Sequence, residues 1–511
     1  MSKSLFKSTS LVSAMTLISR VFGFARDLVL AQAFGAVADF DVFLVAFKIP
    51  NFMRRLFAEG AFSQAFVPVL AEYRSHQDET AVQNFINHMA SLLAMVLLGV
   101  TLLAMLCSPL LVMLFAPGFM HNPGQFALAS TLLRITFPYL LLISLTAFSG
   151  AILNTYGYFS VPALTPVLLN IVLIVAALFI APHLAVPVTA LAWGVFIAGV
   201  VQLFFQWPFL KRLKKIPRFD FNLKDTGVKK VLKLMLAALF GVSTAQIGLL
   251  IDTLFASFLP AGSISWLYFS ERLTGFPLGI FGVALATVVL PHLSKHHANQ
   301  SPQAFSKTLD WALRCVLLIS IPACLALIVI AGPILFTLLQ YGKFNLHDVV
   351  MARKSLMTLS LGIPAFMLVK VLVSACYSQQ NIRTPVRIAM IALLANVILN
   401  FVFMVPLAHA GLALASSLAG FLNAGLVWRY LLQQGGYRPQ PGWRVFLYQL
   451  LFANTLLVIV LWLGAAHSAQ WLAWNGFHRI WHLLLLCSIG IITYFISLWL
   501  MRLKFHEFYR A

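Results

Sequence analysis

Arg20, Arg26 and Asp27 lie inside the apolar stretch LISRVFGFARDLVL at 17–30. Asp41, Lys48, Arg54, Arg55 and Glu59 lie inside DFDVFLVAFKIPNFMRRLFAEG at 39–60, and Glu271 and Arg272 inside LYFSERLTGFPLG. An arginine, lysine or aspartate at the centre of a membrane helix costs about 2.5–3.5 kcal/mol. Summed over the first two stretches the cost is roughly 20 kcal/mol if the groups face lipid, so they must face water or one another. On a helix, Arg20 and Asp27 share a face about 10 Å apart. Asp41, Lys48 and Arg55 recur at seven and share another, Glu59 follows Arg55 at pairing distance, and Pro50 invites a kink among them. Pairing within the set, Arg55 with Glu59 and Arg20 with Asp27, would serve helix packing alone. The set does not balance, however: Arg20, Arg26, Lys48, Arg54, Arg55 and Arg272 outnumber Asp27, Asp41, Glu59 and Glu271. A cationic surplus in a hydrated cavity wants an anion, and guanidinium groups read phosphate through paired donors. The expected ligand carries a phosphate or pyrophosphate.

The elements that must position these groups follow from composition. Of 511 residues, 61% are hydrophobic and 10% charged, more apolar surface than a soluble fold of this length can hide. The reading is an all-α integral membrane protein of about fourteen transmembrane helices. Their expected spans are 10–35, 39–73 (bent), 85–115, 125–153, 161–182, 187–210, 228–259, 264–294, 306–340, 347–378, 385–407, 411–433, 445–466 and 480–503. Net charge is +21. Lysines and arginines crowd the loops of one side, above all Lys211, Arg212, Lys214, Lys215, Arg218, Lys224, Lys229 and Lys230, which places both termini in the cytoplasm. The same bias accounts for the basic balance, leaving no soluble domain for nucleic acid.

Four sequence matches recur at a constant offset of 223 to 226 residues: LFAPGF with LLQYGKF, Pro68 with Pro291, Pro138 with Pro364, and Pro162 with Pro385. Six helices separate the copies, an even number, so the repeat is parallel. The expected organisation is an N-lobe of six helices at 1–210, a basic cytoplasmic linker at 211–227, a six-helix C-lobe at 228–435, and two extra helices with a tail at 436–511.

Asp252, in QIGLLIDTLFASF, stands apart from the other intramembrane acids. With Asn396, Asn400 and Ser416 it offers oxygen ligands for Na⁺ or a proton, against the plainer reading of a neutral or Ser/Thr-paired acid. No cofactor is required. The five cysteines sit in apolar segments without metal spacing and read as small buried hydrophobes. There is no Walker A run, GxSxG or HExxH, so an enzyme is not expected.

SRVFGFARD at 19–27, FKIPNFMRRLFAEGAFSQAFVPVLAEY at 47–73 and PGW at 441–443 resemble the MurJ (MviN) family of lipid II flippases, within the multidrug/oligosaccharidyl-lipid/polysaccharide exporter superfamily. The resemblance covers essentially the whole chain. It implies alternating access in the bacterial inner membrane and a substrate of undecaprenyl-pyrophosphate bearing a disaccharide-pentapeptide. It implies that Arg20, Arg26, Arg54, Arg55 and Arg272 hold the pyrophosphate and sugar, with Asp27, Asp41 and Glu59 as acidic partners. The last two helices resemble a pair that forms a groove for the lipid tail. Gly275 departs from relatives that carry an acid one turn beyond the arginine. The alternatives are an exporter of another polyprenyl-pyrophosphate-linked oligosaccharide, a drug/cation antiporter, which would want surplus acid, and a non-transporting scaffold, which needs no charged cavity.

Overall fold

The computed structural model describes residues 3–55, 62–222, 224–465 and 468–503. All regular structure among them is helical. Among the described residues ten helical stretches are long and apolar enough to cross a membrane. The helices at 3–34, 38–54 and 226–256 are not among them, and 383–433 counts as one although it holds two expected spans.

The chain divides into two compact units, 1–262 and 263–511. In the first, α1 (Lys3–Phe34) packs against α8 (Ser160–Val175), and α2 (Ala38–Arg54) against α6 (Pro123–Thr136). Of the expected bent helix at 39–73, α2 covers the part up to Arg54, with Pro50 inside it, and α3 (Ser63–His76) the part from Ser63. Residues 56–61, with Glu59, lie outside the described residues. Next come α4 (Glu79–Leu106), α5 (Ser108–Phe115), α7 (Tyr139–Thr155), α9 (Val188–Arg212) and α10 (Thr226–Ala256). Phe62, Phe66, Phe85 and Phe148 fill the core where α3, α4 and α7 meet, and Val228 and Val231 of α10 close it.

The second unit holds α11 (Ser263–Pro277), α12 (Val283–Ala298), α13 (Pro302–Val329), α14 (Ala331–Leu338), α15 (Leu346–Ser360), α16 (Ile363–Ser378), α17 (Arg383–Gln433), α18 (Trp443–Gly464), α19 (Ser468–Ala473) and α20 (Gly476–Leu500). A π-turn at Leu278–Gly282 joins α11 to α12. Within α17, Ala408 has φ 49°, a left-handed region that turns the chain between the two expected spans. Leu394, Ile398, Phe401, Val402 and Val405 are exposed along its first half while Asn396 and Asn400 are buried. That is the reverse of a soluble helix and fits lipid outside.

The repeat is visible in the element lengths. α4 and α13 are each 28 residues long and stand 223 residues apart at both ends, 79 to 302 and 106 to 329. The expected spans at 85–115, 125–153, 306–340 and 347–378 are each broken, by Cys107, by Phe137 and Pro138, by Ile330, and by Leu361 and Gly362. By the repeat, α10 is the counterpart of α1 and opens the second copy; by packing, α10 belongs to the first unit. Its far end is fixed where Gly118 donates its N–H to Ser257 Oγ at 3.0 Å.

Candidate functional site

Position 26 is buried in the contact between α1 and α8. The Arg26 guanidinium donates to Asp27 Oδ1 at 2.6 and 3.0 Å and to Asn170 Oδ1 on α8 at 3.0 Å. Arg26 is 6% exposed and Asp27 4%, so the ion pair is desolvated. Adjacent residues do not normally face each other on a helix; here the long arginine arm folds back so that both heads enter one helix–helix contact. Asp27 pairs with Arg26 and not with Arg20, which is exposed, because seven residues of helix hold that pair too far apart.

On α2 the Asp41–Lys48 face turns toward the end of α10. Lys48 Nζ donates to Thr253 Oγ1 at 2.9 Å, and the buried Asp41 carboxylate accepts the Gly262 N–H at 2.6 Å. Arg54 donates twice to Asn51 Oδ1, one turn back, at 2.7 and 2.9 Å. Arg55 follows at the helix end, half-buried like Arg54. Pro50 lies inside α2, four residues before Arg54.

In the second unit, Arg272 is exposed and its guanidinium lies over the Tyr268 ring, 4.9 Å from the centroid, with Nη2 3.3 Å from the phenol oxygen. Glu271 beside it is half-buried. A side chain at Gly275 would meet nothing within 4 Å, so an acid would fit there.

Asn396, Asn400 and Ser416 form one chain: Asn400 Nδ2 donates to Asn396 Oδ1 at 3.2 Å, and Asn396 Nδ2 to Ser416 Oγ at 3.1 Å. Asp252, half-buried, belongs to the first unit. No group of three or more His, Cys, Asp or Glu that could hold a metal occurs among the described residues.

The PGW segment is held by a group that sequence reading missed. Asp310 Oδ1, on α13, accepts from Tyr437 Oη at 2.8 Å, Gln440 N at 3.1 Å and Trp443 Nε1 at 2.6 Å. Asp310 Oδ2 lies 2.8 Å from Arg314 Nε, an ion pair by distance whose angle does not make it a hydrogen bond, while Arg314 Nη2 donates to the Pro441 carbonyl. Burial and the Asp310 carboxylate push the Tyr437 phenol well above its usual range. Asn170, Asn51, Thr253 and Tyr268 were missed as well. Their one signal is a hydrogen-bonding group in or beside an apolar run, and only the fold says which charge each one meets.

The family model described as "Lipid II flippase MurJ" matches residues 30–481. The chain is 45% identical to "Probable lipid II flippase MurJ" of Vibrio cholerae, over 99% of this chain and 98% of that protein. It is 42% identical to "Lipid II flippase MurJ" of Burkholderia cenocepacia, over 99% of both. Among solved structures, "Lipid II flippase MurJ, inward closed conformation" superposes with a TM-score of 0.80 at 28% identity, covering 95% of this chain and 97% of that one. A multidrug resistance MATE family transporter of the MOP superfamily, in an inward-facing conformation, shares the fold alone, with a TM-score of 0.70 at 13% identity, covering 85% of this chain and 98% of that one.

Proposed function

Because the chain belongs to the lipid II flippase MurJ family, we propose that it is a lipid II flippase. It is a multi-pass bacterial membrane transporter, not an enzyme. It carries undecaprenyl-pyrophosphoryl disaccharide-pentapeptide from the cytoplasmic to the periplasmic leaflet of the inner membrane by alternating access, with both termini in the cytoplasm. Membrane lipids are its remaining partners.

The observation that carries the substrate reading is the charge balance of α1 and α2. Arg20, Arg26, Lys48, Arg54 and Arg55 stand against three described acids, Asp27, Asp41 and the exposed Asp39 at the start of α2. Asp27 is committed to Arg26, and Asp41 receives a backbone N–H. Arg20, Arg54, Arg55 and Lys48 are the pyrophosphate ligands, and Arg272 adds a guanidinium whose plane can read phosphate or stack on sugar. Arg26 and Asp27 set the shape of α1 against α8 and bring one more donor, while Glu59 and Glu271 orient the cations. Na⁺ or H⁺ at Asp252 is an optional coupling ion. A drug/cation antiporter would want the opposite excess, acid over base.

The test is accessibility of lipid II on the outer face of cells depleted of this chain. Lipid II should become hidden from an external probe on depletion and reappear when the wild-type chain returns. Unchanged exposure throughout depletion would refute the flippase reading.

A further inference from the structure

The segment between α9 and α10 is laid along α4 in register. Gln83 Nε2 donates to the Ile216 carbonyl at 3.0 Å, the Arg218 N–H donates to Asn87 Oδ1 at 2.9 Å, and the Asp220 N–H to Ser91 Oγ at 2.8 Å. Alternate residues of an extended chain advance about 6.6 Å, and four residues of helix advance about 6 Å, so each second strap residue meets the next turn of α4. Further ties hold the two ends. Lys215 is buried against Glu79, and His88 faces Asp220 at 3.2 Å and Asp225 at 2.7 Å. Asp225 in turn caps α10 through the Gly227 N–H at 2.7 Å.

This register sets the depth of the strap. α4 carries no charged residue from Met89 to Leu106, about 27 Å of helix and close to the hydrocarbon thickness of a bilayer. Ser91 lies in the first turn of that apolar stretch, so the strap climbs α4 to the boundary between headgroups and acyl chains. At that level Phe219 is 76% exposed and Phe221 43% exposed. Lys214, Arg218 and Lys224 are exposed around them. Two bare phenylalanines in a basic segment would be a liability in water. At an anionic membrane interface both features are satisfied, aromatic rings at the headgroup boundary and cations among the phosphates.

We propose that this strap is an interfacial membrane anchor: Phe219 and Phe221 enter the leaflet on the basic side, and Lys214, Arg218 and Lys224 bind the phosphates of anionic lipids. The anchor holds the start of α10 at a fixed depth beside α4, independently of what the transporter carries.

The test uses the full chain in lipid vesicles. A bimane is placed at Phe219→Cys, Phe221→Cys or, as a control, Gln77→Cys, in a background carrying Cys107→Ser and Cys487→Ser. In vesicles containing phosphatidylglycerol, positions 219 and 221 are expected to be quenched by lipids bearing a doxyl group near the headgroup and shielded from aqueous acrylamide. Gln77, exposed before α4, should behave in the opposite way. Each of Lys214→Gln, Arg218→Gln and Lys224→Gln should cut the lipid-quenched fraction's equilibrium about fivefold, as should loss of the anionic lipid. Acrylamide access at 219 equal to that at 77 would overturn the proposal. So would lipid quenching indifferent to phosphatidylglycerol and to the three substitutions. Shielding seen in cell membranes but lost in phosphatidylglycerol vesicles would assign the surface to a protein partner instead.

Discussion

Arginine 26 and arginine 20 sit six residues apart on one helix and should fail in different ways. Arg26 is 6% exposed and bonded to Asp27 and Asn170. Arg26→Ala leaves a buried carboxylate without its partner, a loss of about 3–5 kcal/mol, so this variant should show a lower midpoint in a thermal-shift assay and reduced membrane levels. Arg26→Ala combined with Asp27→Asn should recover much of that stability while still failing to complement a flippase-null strain. Arg20 is exposed, and Arg20→Ala should keep wild-type stability yet lose complementation. If Arg20→Ala complements fully, Arg20 is not a substrate ligand. The types and spacing of these residues were legible in the sequence, and so was the surplus of cations. The partners were not: Asp27 lies on the same helical face as Arg20, but seven residues of rise separate them, and Asn170 is distant in the chain. Periodicity orders residues around one helix and says nothing of which other helix arrives.

Among the elements, α10 is the one whose place the sequence does not supply. The repeat ranks it first in the second copy, yet it packs on α3 and closes the core at Phe66 and Phe85. A repeat records descent and orientation, whereas packing depends on which faces meet. Helix spans were legible because apolar runs must match the bilayer. Breaks at Cys107 and Ile330 were not, although Pro109 and Pro333 stand in the first turn of the helix that follows each, because the apolar run continues across them. The contact at the end of α10 is testable. A Cβ on Gly118 would lie 2.1 Å from the Ser257 carbonyl oxygen, so Gly118→Ala must push the 117–121 turn off α10. We expect a clear fall in thermal midpoint and in transport, because backbone cannot yield as a side chain does. At the bend of α17 the sign reverses. Ala408 holds φ 49°, and Ala408→Gly should stabilise by about 1 kcal/mol by relieving it. A destabilised Ala408→Gly protein would show that the bend is not strained.

At the scale of the whole molecule the proposed orientation accounts for most of the net charge of +21, and the proposed mechanism for its intramembrane share. Moving one elementary charge through the full field is worth about 2.3 kcal/mol per 100 mV. An interior-negative potential draws an empty cationic carrier toward the cytoplasmic side, where a pyrophosphate can neutralise it. Clamping the potential to zero with valinomycin and K⁺ at constant pH should therefore arrest lipid II exposure, while Asp252→Asn should slow it only modestly. The reverse pair of results would assign the reset to an ion at Asp252. The central claim is narrower: the cations of α1 and α2 read the pyrophosphate. It is tested most directly by equilibrium binding of lipid II to the purified chain, wild type against Arg20→Ala and Arg54→Ala, with undecaprenol as the ligand that lacks the phosphates. Each substitution should weaken lipid II binding about ten- to a hundred-fold, the worth of a charge-assisted hydrogen bond, and leave the weak binding of undecaprenol unchanged. Wild-type affinity for lipid II in both variants would contradict it.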